Sequence, residues 1–150
     1  MKTIILISCV SKKIDLPLGQ TCNAKDLYIS SLFKKAYAYA KTLKPNEIYI
    51  LSAKYGLLDL DTQVTPYNKT LNNMSAKQNK EWADGVLDSL INQKHLNLSD
   101  AKNGGDKFII LAGKSYYKNL IGENGIRNYE CPYSKCKGIG YILKFLSDNI

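Results

Sequence analysis

The chain has a single arginine and a single histidine in 150 residues, only four prolines, and no apolar run approaching the ~18 residues of a membrane-spanning helix. Each scarcity excludes something. One arginine, Arg127, rules out a dense set of bidentate base contacts, because that geometry belongs to the guanidinium fork. One histidine, His95, leaves no pair for a metal site or a catalytic dyad, and its place near the end of an expected helix makes it a surface or packing residue. The four cysteines, Cys9, Cys22, Cys131 and Cys136, do not form the Cys-x-x-Cys of a zinc knuckle. A site using all four thiolates is the alternative; no metal and no cofactor is expected. The apolar Ile4 to Ile7 stretch is too short for a signal-peptide core and no cleavage pattern follows it, so reduced thiols and a cytoplasmic location are the expectation. No membrane partner is expected either.

What is abundant is lysine. Lys plus Arg is 21 against 13 for Asp plus Glu, a net charge of +8, and all the cations but Arg127 are lysine. Lysines meet phosphates as point charges, so the balance favours nucleic acid, a nucleotide or a nucleobase-bearing ligand. Hydrophobic residues make up 45%, and no low-complexity tract or linker interrupts the chain. These values indicate one folded domain over residues 1–150.

The pattern predicts an α/β fold: three layers, α/β/α, with a mostly parallel central sheet of about four strands. Lys2 to Ser8, Glu47 to Leu51 and Lys107 to Gly113 are isoleucine-rich runs of the kind buried on both faces of a parallel sheet. A helix is predicted from Asp26, as cap, to Leu43, with Tyr28 and Ser31 on one face, and another from Ser75 to about Ile91. Between them, residues 56 to 73 read as a loop. A short helix from Ser115, a weak fourth strand at Arg127 to Glu130 and a terminal helix from Gly140 complete the succession, which implies right-handed crossovers.

Strands one, two and three then exit on the same side of the sheet, where ligands of open α/β sheets collect. The first exit, Ser8-Cys9-Val10-Ser11-Lys12-Lys13, gathers a thiol, hydroxyls and two ammonium groups. Neighbouring lysines favour a Cys9 thiolate, making it a candidate nucleophile; a small, half-buried strand residue is the other reading. The second exit, Ser52-Ala53-Lys54-Tyr55-Gly56, reads either as a site or as a tight turn with Gly56 at positive φ. Beyond it, Pro66-Tyr67-Asn68 sets an aromatic beside an amide, the pair a planar base needs for stacking and edge reading. The third exit, Gly113-Lys114-Ser115-Tyr116, lacks the upstream glycine of a phosphate loop, since Phe108 stands there. Gly113 would admit a ligand or another backbone, and Tyr116 would line the rim. Gly138 and Gly140 form a further short pattern able to admit phosphate.

The expected ligand-binding set is thus Ser8, Cys9, Lys12, Lys13, Tyr28, Ser31, Ser52, Lys54, Tyr55, Gly56, Pro66, Tyr67, Asn68, Gly113 and Tyr116. Lys12, Lys13 and Lys54 would hold phosphate, Tyr55 and Tyr67 would stack, and Asn68 would read a base edge. Cys9, Lys13 and Asp59 are the candidates for a bond-breaking step, carboxylates being scarce at all three exits.

Ser8-Cys9-x-x-Lys12-Lys13, Asp26-Leu27-Tyr28-x-Ser30-x-Leu32-Phe33, Ser52 to Leu58, Pro66-Tyr67-Asn68 and Ala112-Gly113-x-x-Tyr116, taken in order, resemble a family of short bacterial and phage proteins distantly similar to the YaaA peroxide-stress proteins. A remoter similarity reaches the core domain of archaeosine synthase, of the uracil-DNA-glycosylase-like superfamily, whose Cys, Lys and Tyr-x-x-Ser pattern is echoed by Cys9, Lys13, Tyr28 and Ser31. Lys34 stands where that pattern has a histidine. The resemblance implies nucleic-acid binding in modification, repair or stress protection and, were the chain an enzyme, glycosylase-like or base-modifying transferase chemistry. The alternative is a non-catalytic module that binds or sequesters a nucleotide in stress or phage conflict.

Overall fold

A computed structural model describes residues 1–150. Its main sheet has five strands in the order β4-β3-β1-β6-β7, and β2 (Cys22–Asn23) and β5 (Gln63–Val64) pair separately as a short antiparallel ribbon. β1 (Thr3–Ser8) lies at the centre, parallel to β3 (Glu47–Ser52) on one side and to β6 (Lys107–Leu111) on the other. The apolar runs bury both faces of these strands. Ile5, Ile7, Ile50, Ile109 and Leu111 face one core, and Ile4, Leu6, Tyr49, Leu51, Phe108 and Ile110 face the other. Full burial of one such side chain contributes about 1.5–3 kcal/mol, so the sheet centre dominates the stability of the domain.

The first core is closed by α2 (Ser31–Thr42) and α5 (Ile139–Asp148), the second by α3 (Ala76–Asp88), which gives the expected three layers. α3 begins with the reciprocal Ser75–Gln78 capping box and runs into a π turn over Ser89–Gln93. α4 (Lys114–Tyr117) is the short helix after β6, and β7 (Tyr129–Glu130) is the weak parallel strand. No helix is long and apolar enough to cross a membrane.

Besides the unexpected β2–β5 ribbon, two differences from expectation shape the strand exits. The long first helix is two: α1 (Ala24–Leu27) ends at Tyr28, which is extended at φ −94°, ψ 117°, and α2 starts after Ser30. Ser30, not Asp26, is the cap, its hydroxyl accepting from the Phe33 amide at 3.3 Å. The break exists because the chain there pairs with the β1 exit. The Ile14 amide donates to Leu27 O at 3.0 Å, the Ile29 amide donates to Lys12 O at 3.1 Å, and Lys13 and Tyr28 face each other in an antiparallel bridge. Tyr28 and Ser31 therefore do not share a helix face.

The second difference is β4 (Gly56–Asp59), which folds back antiparallel on β3 as a fifth strand where a loop was expected. The reversal uses Ala53, Lys54 and Tyr55 and is closed by Gly56 at φ +74°. The tight-turn reading of this exit thus holds for its backbone.

Candidate functional site

β1 hands the chain to β3 through α2 on one face of the sheet, and β3 hands it across β1 to β6 through α3 on the other. The order therefore reverses at β1, and a crevice opens outside the carboxyl end of that strand. There a cavity of about 470 Å³ is lined from four directions. Cys9 to Lys13 come from the β1 exit, Ser30 to Leu32 from the start of α2, Asn68, Lys69, Thr70 and Asn72 from the segment before α3, and Tyr116 from α4; Ile139 and Leu143 of α5 close it. Its charged residues are Lys12, Lys13 and Lys69, and no carboxylate lines it. The Ser31 and Leu32 amides, in the first turn of α2, find no acceptor within the chain.

Beneath the cavity lies a chain of hydroxyls. Tyr67 Oη meets Tyr28 Oη at 2.7 Å and accepts from Ser52 Oγ at 2.9 Å. Ser52 Oγ in turn accepts from the amides of Tyr55, at 3.0 Å, and Lys54, at 3.3 Å. Burial pushes the Tyr28 and Tyr67 phenols well above the ordinary tyrosine range, so both remain neutral donors and acceptors. Residues 65 to 69 make no hydrogen bond from backbone to backbone. The Tyr67 phenol, with a Tyr55–Thr65 hydroxyl contact at 3.1 Å, fixes one end of this wall to the sheet, and Leu71, 1% exposed in the core, fixes the other.

Lys13 joins the two levels. Its Nζ lies 4.2 Å from the centre of the Tyr67 ring and 5.7 Å from that of Tyr28, and its one hydrogen bond goes to Ser11 O at 3.4 Å. Burial lowers its pKa, and nearby Cys9 partly restores it. Cys9, 7% exposed, contacts the Tyr116 hydroxyl at 3.2 Å. Burial and the neighbouring thiol push the Tyr116 phenol upward, so it stays protonated and can donate a hydrogen bond.

Of the expected residues, Cys9, Lys12, Lys13, Ser31, Asn68 and Tyr116 are brought together around this cavity. Ser8 is the half-buried last residue of β1, and Pro66 sets the entry to the wall. Tyr28 and Ser52 are core residues, 1% and 0% exposed, that act from below. Tyr67 is a correction. It was expected to stack on a base, but Lys13 covers one face of its ring and Tyr55 packs edge-on at 5.6 Å between ring centres. Gly113 is corrected in part: it precedes α4 at φ −75°, and a Cβ built there meets no protein atom within 4 Å, so no neighbouring backbone requires glycine and only the ligand alternative is left. Asp59 lies elsewhere. Its carboxylate accepts from Lys94 Nζ at 2.9 Å on both oxygens and borders a shallow cleft with Pro45, Asn46 and Glu47 at the amino end of β3. Lys54 and Tyr55 are exposed on the β3–β4 turn, outside the Cys9 cavity.

Lys69, Thr70, Asn72, Ile139 and Leu143 line the cavity without having been singled out. For Lys69 a signal was present, since it follows Asn68 directly; the α5 residues are brought in only by the α2–α5 packing. Chemically, the cavity offers three ammonium groups, a phenol donor and amide side chains. A general base among its side chains is limited to the three lysines and the Cys9 thiol.

Fold and site together define a mostly parallel α/β domain with a cationic cavity at the switch point of its sheet. The chain belongs to a family of unknown function (DUF6884), whose model matches residues 4–148. No curated protein and no solved structure matches it.

Proposed function

We propose that the chain binds nucleic acid or a nucleotide, with phosphate on Lys12, Lys13 and Lys69 and a base against Val10, Leu32 and the α5 residues. The observation that carries this reading is the composition of the cavity: three lysines and no carboxylate, converging from separate segments on a volume suited to a small ligand. The net charge of +8 supports it by drawing polyanions to the surface. The motif resemblance to short bacterial and phage proteins distantly similar to the YaaA peroxide-stress proteins suggests a role in nucleic-acid modification, repair or stress protection. The lack of a carboxylate among the cavity's side chains favours binding over bond breaking.

Lys12→Ala combined with Lys13→Ala tests this. Fluorescence titration with a labelled oligonucleotide and thermal shift with nucleoside monophosphates should show affinity lowered roughly tenfold or more, and a salt slope reduced by up to about two. Unchanged affinity and slope would place the ligand elsewhere.

A further inference from the structure

A second cavity adjoins the first. About 400 Å³ in volume, it is formed by Ala53 and Lys54 of the β3–β4 turn, by Met74, and by Gln78, Glu81 and Trp82 of α3, with Lys69 as its remaining wall. Lys69 therefore lines both cavities. They also back onto one aromatic pair: Trp82 borders the second, Tyr116 borders the first, and their rings meet edge to face with centres 5.6 Å apart. Trp82 is held there by its indole N–H, which donates to Ser52 O at 2.8 Å, on the strand end that also supports Tyr67. The carboxylate of the second cavity, Glu81, is paired with Lys77 at 3.9 Å. Tyr55, 37% exposed, stands beside Lys54, whose Nζ is 5.0 Å from its ring centre.

We infer that the two cavities are consecutive nucleotide sites of one track for single-stranded nucleic acid, which crosses the wall of residues 68 to 72 at Lys69. The inference rests on the rim reading above and specifies its ligand class. A free mononucleotide would use Lys12 and Lys13 and leave Lys54 without a role. A duplex keeps its bases paired and stacked, and offers only phosphates to two concave sites that carry apolar and amide groups as well as lysines. An unpaired strand satisfies both demands: its phosphates follow Lys12 and Lys13, then Lys69, then Lys54, while its bases reach Trp82 and the apolar wall of the first cavity. Alternating cations and aromatic rings along a groove is how unpaired strands are held without strong sequence preference.

The test is the dependence of affinity on ligand length. Thymidine 5′-monophosphate, the corresponding di-, tetra- and octanucleotides, a uridine octanucleotide and a duplex octanucleotide are titrated against the intact chain by competition with a fluorescent oligonucleotide. Each base added within the track should strengthen binding about tenfold, the effect of one stacked base, until the track is filled. Lys54→Ala and Trp82→Phe should each flatten this rise, and Lys13→Ala should weaken every probe. A tetranucleotide no tighter than the monophosphate, a duplex equal to the single strand, or a Lys54→Ala chain with the parent's length dependence would overturn the track and leave the rim reading standing. Failure of every probe would remove the rim reading itself. Tighter binding of thymidine or of uridine strands supports the track in either case.

Discussion

Tyr67 does for residues 65 to 69 what backbone pairing does elsewhere in the fold. Its hydroxyl has two partners, Tyr28 and Ser52, and its ring carries the Lys13 ammonium on one face. Removing the hydroxyl alone leaves the ring packing but withdraws a partner from two buried groups, a loss of about 1–3 kcal/mol. Tyr67→Phe should therefore lower the denaturant midpoint, and limited proteolysis within residues 65 to 70 should accelerate more than global unfolding alone would cause. Unaltered protection of that segment would mean that something other than the phenol holds the wall. Most of the chemical residues were legible in the sequence as types; their orientation was not. A tyrosine after a proline reads the same whether its face meets solvent or a lysine, and only the Lys13–Tyr28 bridge, a contact between separate segments, puts the ammonium on Tyr67.

At the scale of elements, β1, β3, β6, α3 and α5 were readable because their apolar residues repeat at strand or helix period, and the β1–β3–β6 centre follows from runs buried on both faces. β4 was not readable. Gly-Leu-Leu-Asp is too short for alternation, and it becomes a strand because β3 offers an edge with matching register, Leu51 opposite Leu57 and Ile50 opposite Leu58. The split of the first helix was hidden for a similar reason: helical spacing continues through Tyr28 and Ile29, but tertiary pairing with Lys12 and Lys13 overrides it. The β3–β4 turn yields a paired prediction of opposite sign. At Gly56 a Cβ would find Val86 Cγ2 at a comfortable 3.9 Å, so the penalty of Gly56→Ala is conformational, about 1–2 kcal/mol for an L-residue at φ +74°. At Gly85, exposed inside α3 and without neighbours within 4 Å, alanine should stabilise by about 1 kcal/mol. Equilibrium unfolding in urea measures both, and a stabilising Gly56→Ala would contradict the turn geometry.

Across the whole molecule, the convergence of the strand exits follows from parallel pairing, and the sequence indicated it correctly for β1, β3 and β6. The strand order was out of reach, because it depends on which edge each crossover joins, and with it went the location of the switch point at β1. The same gap explains why Asp59 was placed near the rim when β4 carries it back toward the amino end of β3, and why the second exit serves the Trp82 cavity and not the Cys9 cavity. The central claim is that an anionic nucleotide ligand sits where β1, α2, α4 and the Tyr67-anchored wall meet. It is tested most directly by titrating isotopically labelled protein with a thymidine tetranucleotide and following the backbone amide resonances. The account predicts saturable shifts at Ser11 to Lys13, Ser31, Leu32 and Asn68 to Asn72, with little change at Asn46, Asp59 or Asp61. No shifts, or shifts centred on the Asp59 end of the sheet, would contradict it.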